Sequence, residues 1–539
     1  MNRTTLVLGV VFAAGCIVHA PLELPTDSGT NWSEIKSKHF KLVTDLDAED
    51  ADSVIRTFER TYGLLGKALF AGAAAPDFET HVLAFRTAEE LHEFLPPPYG
   101  GGYMARLPND IQSTPTVVMA GKPSPATRIL LAHELTHRFN HVAFPSMPLW
   151  LNEGLAEYYS TLRGDIDHPV VGELDPDHGF ASGSVRSDPT HVIYQGTLID
   201  VARVPLPSVL MQLDHDGFYG READLTAAQS PSRVEKITQN YAAAWAFTHM
   251  LMQSSARGGD LRRAVEDPTN RRDLAAAVRV LERDSSAIDR EFETYLRTPI
   301  RWRQHHEGPP PAVAGVSRRD LTEPQVLAWW TRLDAFRGTT ADRSWRRLEA
   351  GLDRWPEDPE LLFLRGRRDM LANVPKDAER HFKQALARRP GDPGYQLALA
   401  LLYLHEKTGA SWPPAERVTL LSDAFEQLGA VARTPSELNS VAIYHLLKTT
   451  ANQALPFAER ASKADPDCWS CLHTLAAATF RLGQADEAAE LERAALQRLP
   501  DDARSEVTAI LKRDRDRYLR AASSDTNDDR QGTMLFWPD

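Results

Sequence analysis

Cysteine is almost absent, with three residues in a chain of 539. That excludes a disulfide-stapled scaffold, so the fold has to come from packed cores, and a chain of this length has room for more than one domain. Two of the three cysteines, Cys468 and Cys471, form the sequence CWSC. The spacing suits a small disulfide in an oxidising compartment, and without a thioredoxin-like strand–helix pattern around it a structural role is expected. Long apolar runs are lacking too. The stretch from Leu6 to Ala14 is too short to span a bilayer, and no later segment approaches the length of a membrane helix. Clustered basic charge is also missing. The net charge is -13 with both signs interspersed, which excludes a nucleic-acid footprint and favours solubility.

The N-terminus carries an export signal: Arg3, the short apolar run, then AAGC at residues 13–16. AAGC resembles a bacterial lipobox, with Ala13 where leucine is usual. The resemblance implies lipidation of Cys16, a signal peptide over 1–16, a tether over 17–31 and attachment to the cell envelope through a lipid anchor. Ile17 lacks the aspartate character that retains such proteins at the inner membrane, so an outer-membrane location is slightly favoured. The alternative is cleavage after Ala20 and release to the periplasm or exterior, although Pro21 disfavours that cut.

Beyond the tether, the alternation in HFKLVT predicts a strand, and apolar Val54, Ile55, Phe58, Tyr62, Leu65 and Phe70 predict a helix over 47–70. HVLAF at 81–85 and TPTVVMAG at 114–121 read as further strands, TAEELHEFL as a helix and PPPYGGG at 96–102 as a loop. From about 127 to 300 the pattern is mostly helical. These elements predict an α+β domain over 32–300, followed by a flexible linker over 301–325 centred on HEGPPPAVAGVSRRD.

The last third is Ala-, Leu- and Arg-rich and repeats. Asp358-Pro359 recurs as Asp392-Pro393, 34 residues on, and Pro466 leads to Pro500 with the same interval. That period, with helix, turn, helix and a closing proline, is the signature of tetratricopeptide repeats. An all-α superhelix is expected over 326–520, with two further units between Pro393 and Pro466, one stretched by EKTGASWPPAE, and a polar tail over 521–539. Gly483 and Ala488 are read as close-packing positions of the last full repeat. Stacked helical hairpins of this kind bind protein segments, so a protein partner is expected.

The chemistry concentrates in LLAHELTHRFN, 130–140. His133 and His137, four apart on a helix, share a face and can present two imidazoles to one ion, with Glu134 placed to reach the water that ion holds. A catalytic zinc site needs a third protein ligand and an open position. The continuation HExxHxxGxxH is excluded, because residue 140 is Asn and residue 143 is Ala; His141 reads as a helix-face residue. PLWLNEGLAEYYS, 148–160, supplies Glu153 as a third ligand, Glu157 one turn on as acceptor for a ligand imidazole, and Gly154 as a point of close helix approach.

Together HELTHRFN and PLWLNEGLAEYY resemble the gluzincin clan of zinc metallopeptidases, specifically the peptidase MA-like type of the bacterial envelope. The resemblance covers about 32–300. It implies a zincin-like domain with Zn2+ held by His133, His137 and Glu153, Glu134 as base and a peptide or protein as substrate. The GxMEN block that recognises a free amino terminus is missing, which points to an endopeptidase. TPTVVMAG is expected to be the edge strand that pairs with extended substrate. Tyr241, in NYAAAWAFTHML, is the candidate oxyanion donor, with His249, Tyr194 and His191 as weaker candidates; His249, four after Trp245 on an apolar helix, reads as a core histidine. Two other readings stand beside this one: an inactive envelope scaffold working through its repeats, and a zinc hydrolase acting on something other than peptides.

Overall fold

The computed structural model describes Leu24, Ala75 and residues 30–70, 78–94, 102–106, 115–121, 125–144, 147–164, 168–172, 191–194, 197–213, 215–219, 231–253, 258–266, 271–297, 313–336, 341–405, 411–465, 468–499 and 505–523. Cys16 and the residues read as an export signal lie outside them. No helix among the described residues is long and apolar enough to cross a membrane.

A six-stranded sheet organises the first domain. Its strands are β1 (Ser33–Lys36), β2 (Phe40–Thr44), β3 (Thr80–Phe85), β4 (Gly102–Arg106), β5 (Pro115–Ala120) and β10 (Ser317–Asp320), in the order β10-β1-β2-β3-β5-β4. β2, β3 and β5 run parallel and the other pairings are antiparallel. A parallel pair needs a crossover, supplied between β2 and β3 by α1 (Ala48–Leu69). Asp47 caps that helix by accepting the Asp50 N–H, and Val54, Ile55, Phe58, Tyr62 and Leu65 are buried along one face. Each such side chain stabilises the fold by about 1.5–3 kcal/mol.

Alternate residues of the parallel strands enter different cores. Leu42, Val82, Val117 and Met119 pack with α1, α3 (Pro125–Ala143), α4 (Leu149–Ser160) and α7 (Pro231–Gln253). Val43, Leu83, Phe85 and Val118 pack instead with Trp330 and Leu333 of α11 (Glu323–Phe336). The sheet is therefore covered on both faces, the second by the start of the helical half. Trp32 stands edge-on to Phe85 and Trp330, with ring centroids 5.6 and 5.8 Å away. Arg347 of α12 (Ala341–Arg354) ties the two halves further. Its guanidinium lies over Phe94 and Trp330 and reaches Asp334 at 2.8 Å and Glu93 at 3.3 Å.

The expected linker is thus partly ordered, because residues 317–320 form β10, paired to β1. The strand is short, polar and exposed, held by the paired contacts of Arg319 with Glu34 (2.8 and 2.9 Å), so it shows no apolar alternation. The span 127–300 also holds two small hairpins, β6 (Arg163–Gly164) with β7 (Pro169–Val170) and β8 (His191–Tyr194) with β9 (Thr197–Asp200). The region read as a loop over 96–102 gives way to β4 at Gly102.

Four helical hairpins follow α12: α13 (Pro359–Leu371) with α14 (Pro375–Arg388), α15 (Pro393–Leu404) with α16 (Pro414–Val431), α17 (Pro435–Leu447) with α18 (Ala451–Ala464), and α19 (Trp469–Arg481) with α20 (Ala485–Gln497). The helix starts at Pro359 and Pro393 stand 34 residues apart, capped by Asp358 and Asp392. This is a tetratricopeptide-type stack, closed by α21 (Ser505–Ser523), whose Tyr518 packs on Phe480. α21 extends to Ser523, past the expected end of the repeats. Ala488 is buried at a helix contact, but Gly483 sits in the turn between α19 and α20 with φ +93°. Its requirement is therefore backbone conformation, not close packing. Cys468 and Cys471 form a disulfide at the start of α19, where Cys468 Sγ also accepts the Cys471 N–H.

Candidate metal centre

The site is built where α3 meets α4. After α3 the chain turns through Phe144, whose N–H bonds to the Asn140 carbonyl, and the Asn140 amide donates to Asn152 Oδ1 at 3.1 Å. α4 then lies against α7 through Gly154. A Cβ at that position would stand 2.0 Å from Thr248 Oγ1 and 2.7 Å from the Ala244 carbonyl. The close approach read from the sequence is real, but the partner is α7 and not the histidine-bearing helix.

His133 and His137 face one another with their Nε2 atoms 3.0 Å apart. Glu153 Oε2 lies 3.7 Å from the first and 3.5 Å from the second. Among the described residues these three side chains are the group of metal-ligating type whose donor atoms converge, all within 4.8 Å of one another. Glu157 Oε1 is 3.2 Å from His133 Nδ1. With the Nδ1 proton directed at Glu157, the Nε2 lone pair faces the cluster. Glu134 is buried beside them. The Tyr241 ring lies 6.4 Å from that of His133 and 6.3 Å from that of Tyr219.

Electrostatics explain what the cavity prefers. Burial alone would raise Glu153, but His137 and His133 hold its pKa down to about 2. Burial alone would lower His137, yet Glu153 raises it to about 9. Burial would likewise lower His133, and Glu157 reverses this. Burial raises Glu134. Three buried carboxylates against two imidazoles form a pocket that favours added positive charge.

The donor set fits a zinc ion. Two imidazole nitrogens and one carboxylate oxygen are the ligand types of catalytic zinc sites. Glu153 Oε2 and Glu134 Oε1 are buried oxygens without a hydrogen-bond donor, an arrangement that costs stability unless a cation satisfies it.

Other candidates separate from the cluster. His249 is a satisfied core histidine: Nε2 donates to the Gly172 carbonyl at 2.7 Å, Nδ1 accepts from Tyr295 at 2.6 Å, and burial lowers its pKa. The side chains of His141, His191 and Tyr194 lie outside the described residues. β5 is not an edge strand, because β4 pairs along its outer side. Tyr219, at the end of α6 (His215–Tyr219), was not legible in the sequence and donates its hydroxyl proton to Glu153 Oε1. HDGFY is too short to show a period, and the contact spans 66 residues of chain.

No protein-family model matches the chain, and no curated protein does. Among solved structures, the chain is similar to the MamA protein at 15% identity, with 32% of this chain and 91% of that one covered and a TM-score of 0.27. It is similar to TTC0263, a thermophilic TPR protein of Thermus thermophilus, at 19% identity, with 37% and 100% covered and a TM-score of 0.26. It is also similar to YrrB, described as a TPR protein with an unusual peptide-binding site, at 15% identity, with 33% and 89% covered and a TM-score of 0.26.

Proposed function

We propose that the first domain is a zinc-dependent peptide-bond hydrolase, of endopeptidase type, and that the repeats bind a protein partner or the substrate chain. The observation that carries this reading is the meeting of His133, His137 and Glu153 beside Glu134. A bound zinc ion supplies Lewis acidity and makes water acidic enough to lose a proton near neutrality. His133 and His137 would hold the ion through Nε2 and Glu153 through Oε2, with Glu157 fixing the tautomer of His133. Glu134 takes the proton of the attacking water and hands it to the leaving amine, a task suited to a carboxylate whose pKa burial has raised. Tyr241 stays protonated, because burial and the Glu153, Glu157 and Glu134 charges push its pKa well up, so its hydroxyl is a donor for the developing oxyanion. An extended substrate would pair with β4, the outer strand on that side of the sheet. The envelope location and lipid anchor rest on the sequence around Cys16 alone.

Zinc content of the purified chain and digestion of a peptide library test the reading. Glu134→Gln should keep zinc and lose cleavage; cleavage at the natural rate would exclude Glu134 as the base.

A second reading is an envelope scaffold that works through its repeats, with the first domain inactive. It is favoured by the depth of the cluster, where Glu134 and Glu153 are only 4% and 3% exposed, and by a hairpin stack that needs no catalysis to bind protein. A zinc-loaded chain that cleaves nothing in the library but retains a protein partner through residues 359–497 would establish it.

A further inference from the structure

We infer that Tyr219 is a positioning residue for the metal-binding carboxylate, an inference that rests on the zinc reading above. A carboxylate has two equivalent oxygens and rotates freely unless one of them is held. Here Tyr219 donates to Glu153 Oε1, which leaves Oε2 turned toward the imidazoles of His133 and His137. A carboxylate oxygen can only accept, so the tyrosine hydroxyl is the donor of this bond.

Tyr219 is itself placed from α7. The amide of Asn240, 1% exposed, donates to the Phe218 carbonyl at 2.9 Å and the Gly217 carbonyl at 3.4 Å. The buried Phe218 ring packs edge-on against Tyr241 at 5.3 Å. Asn240 thus splints the five-residue α6 against α7, and the ring of its neighbour Tyr241 lies 6.3 Å from that of Tyr219. The Asn240-Tyr241 pair gives the NYAAAW segment two separate roles, one of which acts through Tyr219.

The test is zinc affinity of the full chain, measured by competition with a chromophoric chelator, beside the melting temperature of the metal-free protein. Tyr219→Phe keeps the ring and removes only the donor. It is expected to weaken zinc about 10–100-fold, the usual effect of removing a partner of a metal ligand, with the metal-free melting temperature unchanged. Asn240→Ala leaves the hydroxyl but removes the splint, and should weaken zinc in the same direction by a smaller factor. It serves as the second variant should Tyr219→Phe fold poorly. Zinc affinity within twofold of the natural chain in both variants overturns the role of Tyr219 while leaving the metal site standing. A natural chain that binds no zinc, checked against Glu153→Gln, overturns the zinc reading and this inference together.

Discussion

Replacing Asp45 with asparagine should stabilise this protein at neutral pH, and the gain should shrink on acidification. Asp45 follows β2 and is 1% exposed. Its Oδ1 accepts the Arg86 N–H at 2.8 Å, but Oδ2 is buried without a hydrogen-bond partner, and the nearest guanidinium nitrogen of Arg86 is 3.9 Å away on a side chain 49% exposed. Burial first and Glu90 second raise the pKa from 3.8 to about 6, against a smaller pull from Arg86. The folded state therefore holds a proton that the unfolded chain has released. Ionised Asp45 weakens the fold above pH 6, and protonation relieves this as pH falls toward 3.8. The linkage gives a penalty of about 3 kcal/mol near pH 7.5 and roughly half of that near pH 5. Asparagine keeps the Oδ1 acceptor and removes the charge, but its buried NH2 group replaces Oδ2 at a cost of about 1 kcal/mol, so Asp45→Asn should gain about 2 kcal/mol near pH 7.5, a rise of a few degrees in melting temperature. Thermal melts across that range provide the assay. A variant that melts at or below the natural chain near pH 7.5, or whose gain does not shrink with acid, would refute the reasoning.

Two further substitutions probe how the parts are held. Arg347→Ala removes the cation between Asp334, whose side chain is 0% exposed, and Glu93, and should cost about 3–5 kcal/mol. Calorimetry should show the unfolding of sheet and repeats drawn apart, and a single unshifted transition would contradict the clamp. Gly154→Ala drives a methyl into Thr248 and the Ala244 backbone, forcing α4 off α7, and should weaken zinc binding more than it lowers secondary structure. Natural zinc affinity in a folded Gly154→Ala chain would show that the contact does not set the ligand geometry.

Much of this architecture is legible wherever a residue pattern repeats along the chain. Phe40, Leu42, Val82 and Val117 lie in strands apolar enough to announce themselves, and the 34-residue interval marks the hairpins before any contact is known. The histidines and Glu157 are legible for a similar reason, because the helical turn alone brings residues four apart onto one face. What escapes is set by tertiary contacts. β1 and β10 are short and polar, and their pairing joins residues nearly 300 apart, such as Ser33 with Asp320. The edge position of β5 is expected from the family resemblance alone, and β4, which carries no apolar alternation, takes that edge instead. Gly154 announces a close approach without naming the helix that uses it. Tyr219 belongs to the same class, since only the fold brings a tyrosine from a five-residue helix to a carboxylate on another.

The sheet explains why the His133, His137 and Glu153 cluster and the repeat stack belong to one packed unit. Neighbouring residues on one strand serve different cores: Val82 faces the histidine helix and Leu83 faces Trp330. A parallel strand buried on both faces has no solvent side to spend on charge, so both neighbours must be apolar and both must find cover. The α1, α3 and α7 layer covers one face. The other would expose Leu83, Phe85 and Val118, a patch that a lone domain rarely tolerates, unless α11 and α12 close it. The chain reaches that position through β10, which binds the far edge of the same sheet by Arg319 and Glu34 before α11 begins. The first repeat-side helices are therefore part of the first domain's stability, and the boundary between the halves is a packed core. Removing the repeats at residue 326 would uncover the sheet that supports the histidine-bearing helix, so the two halves are one folding problem.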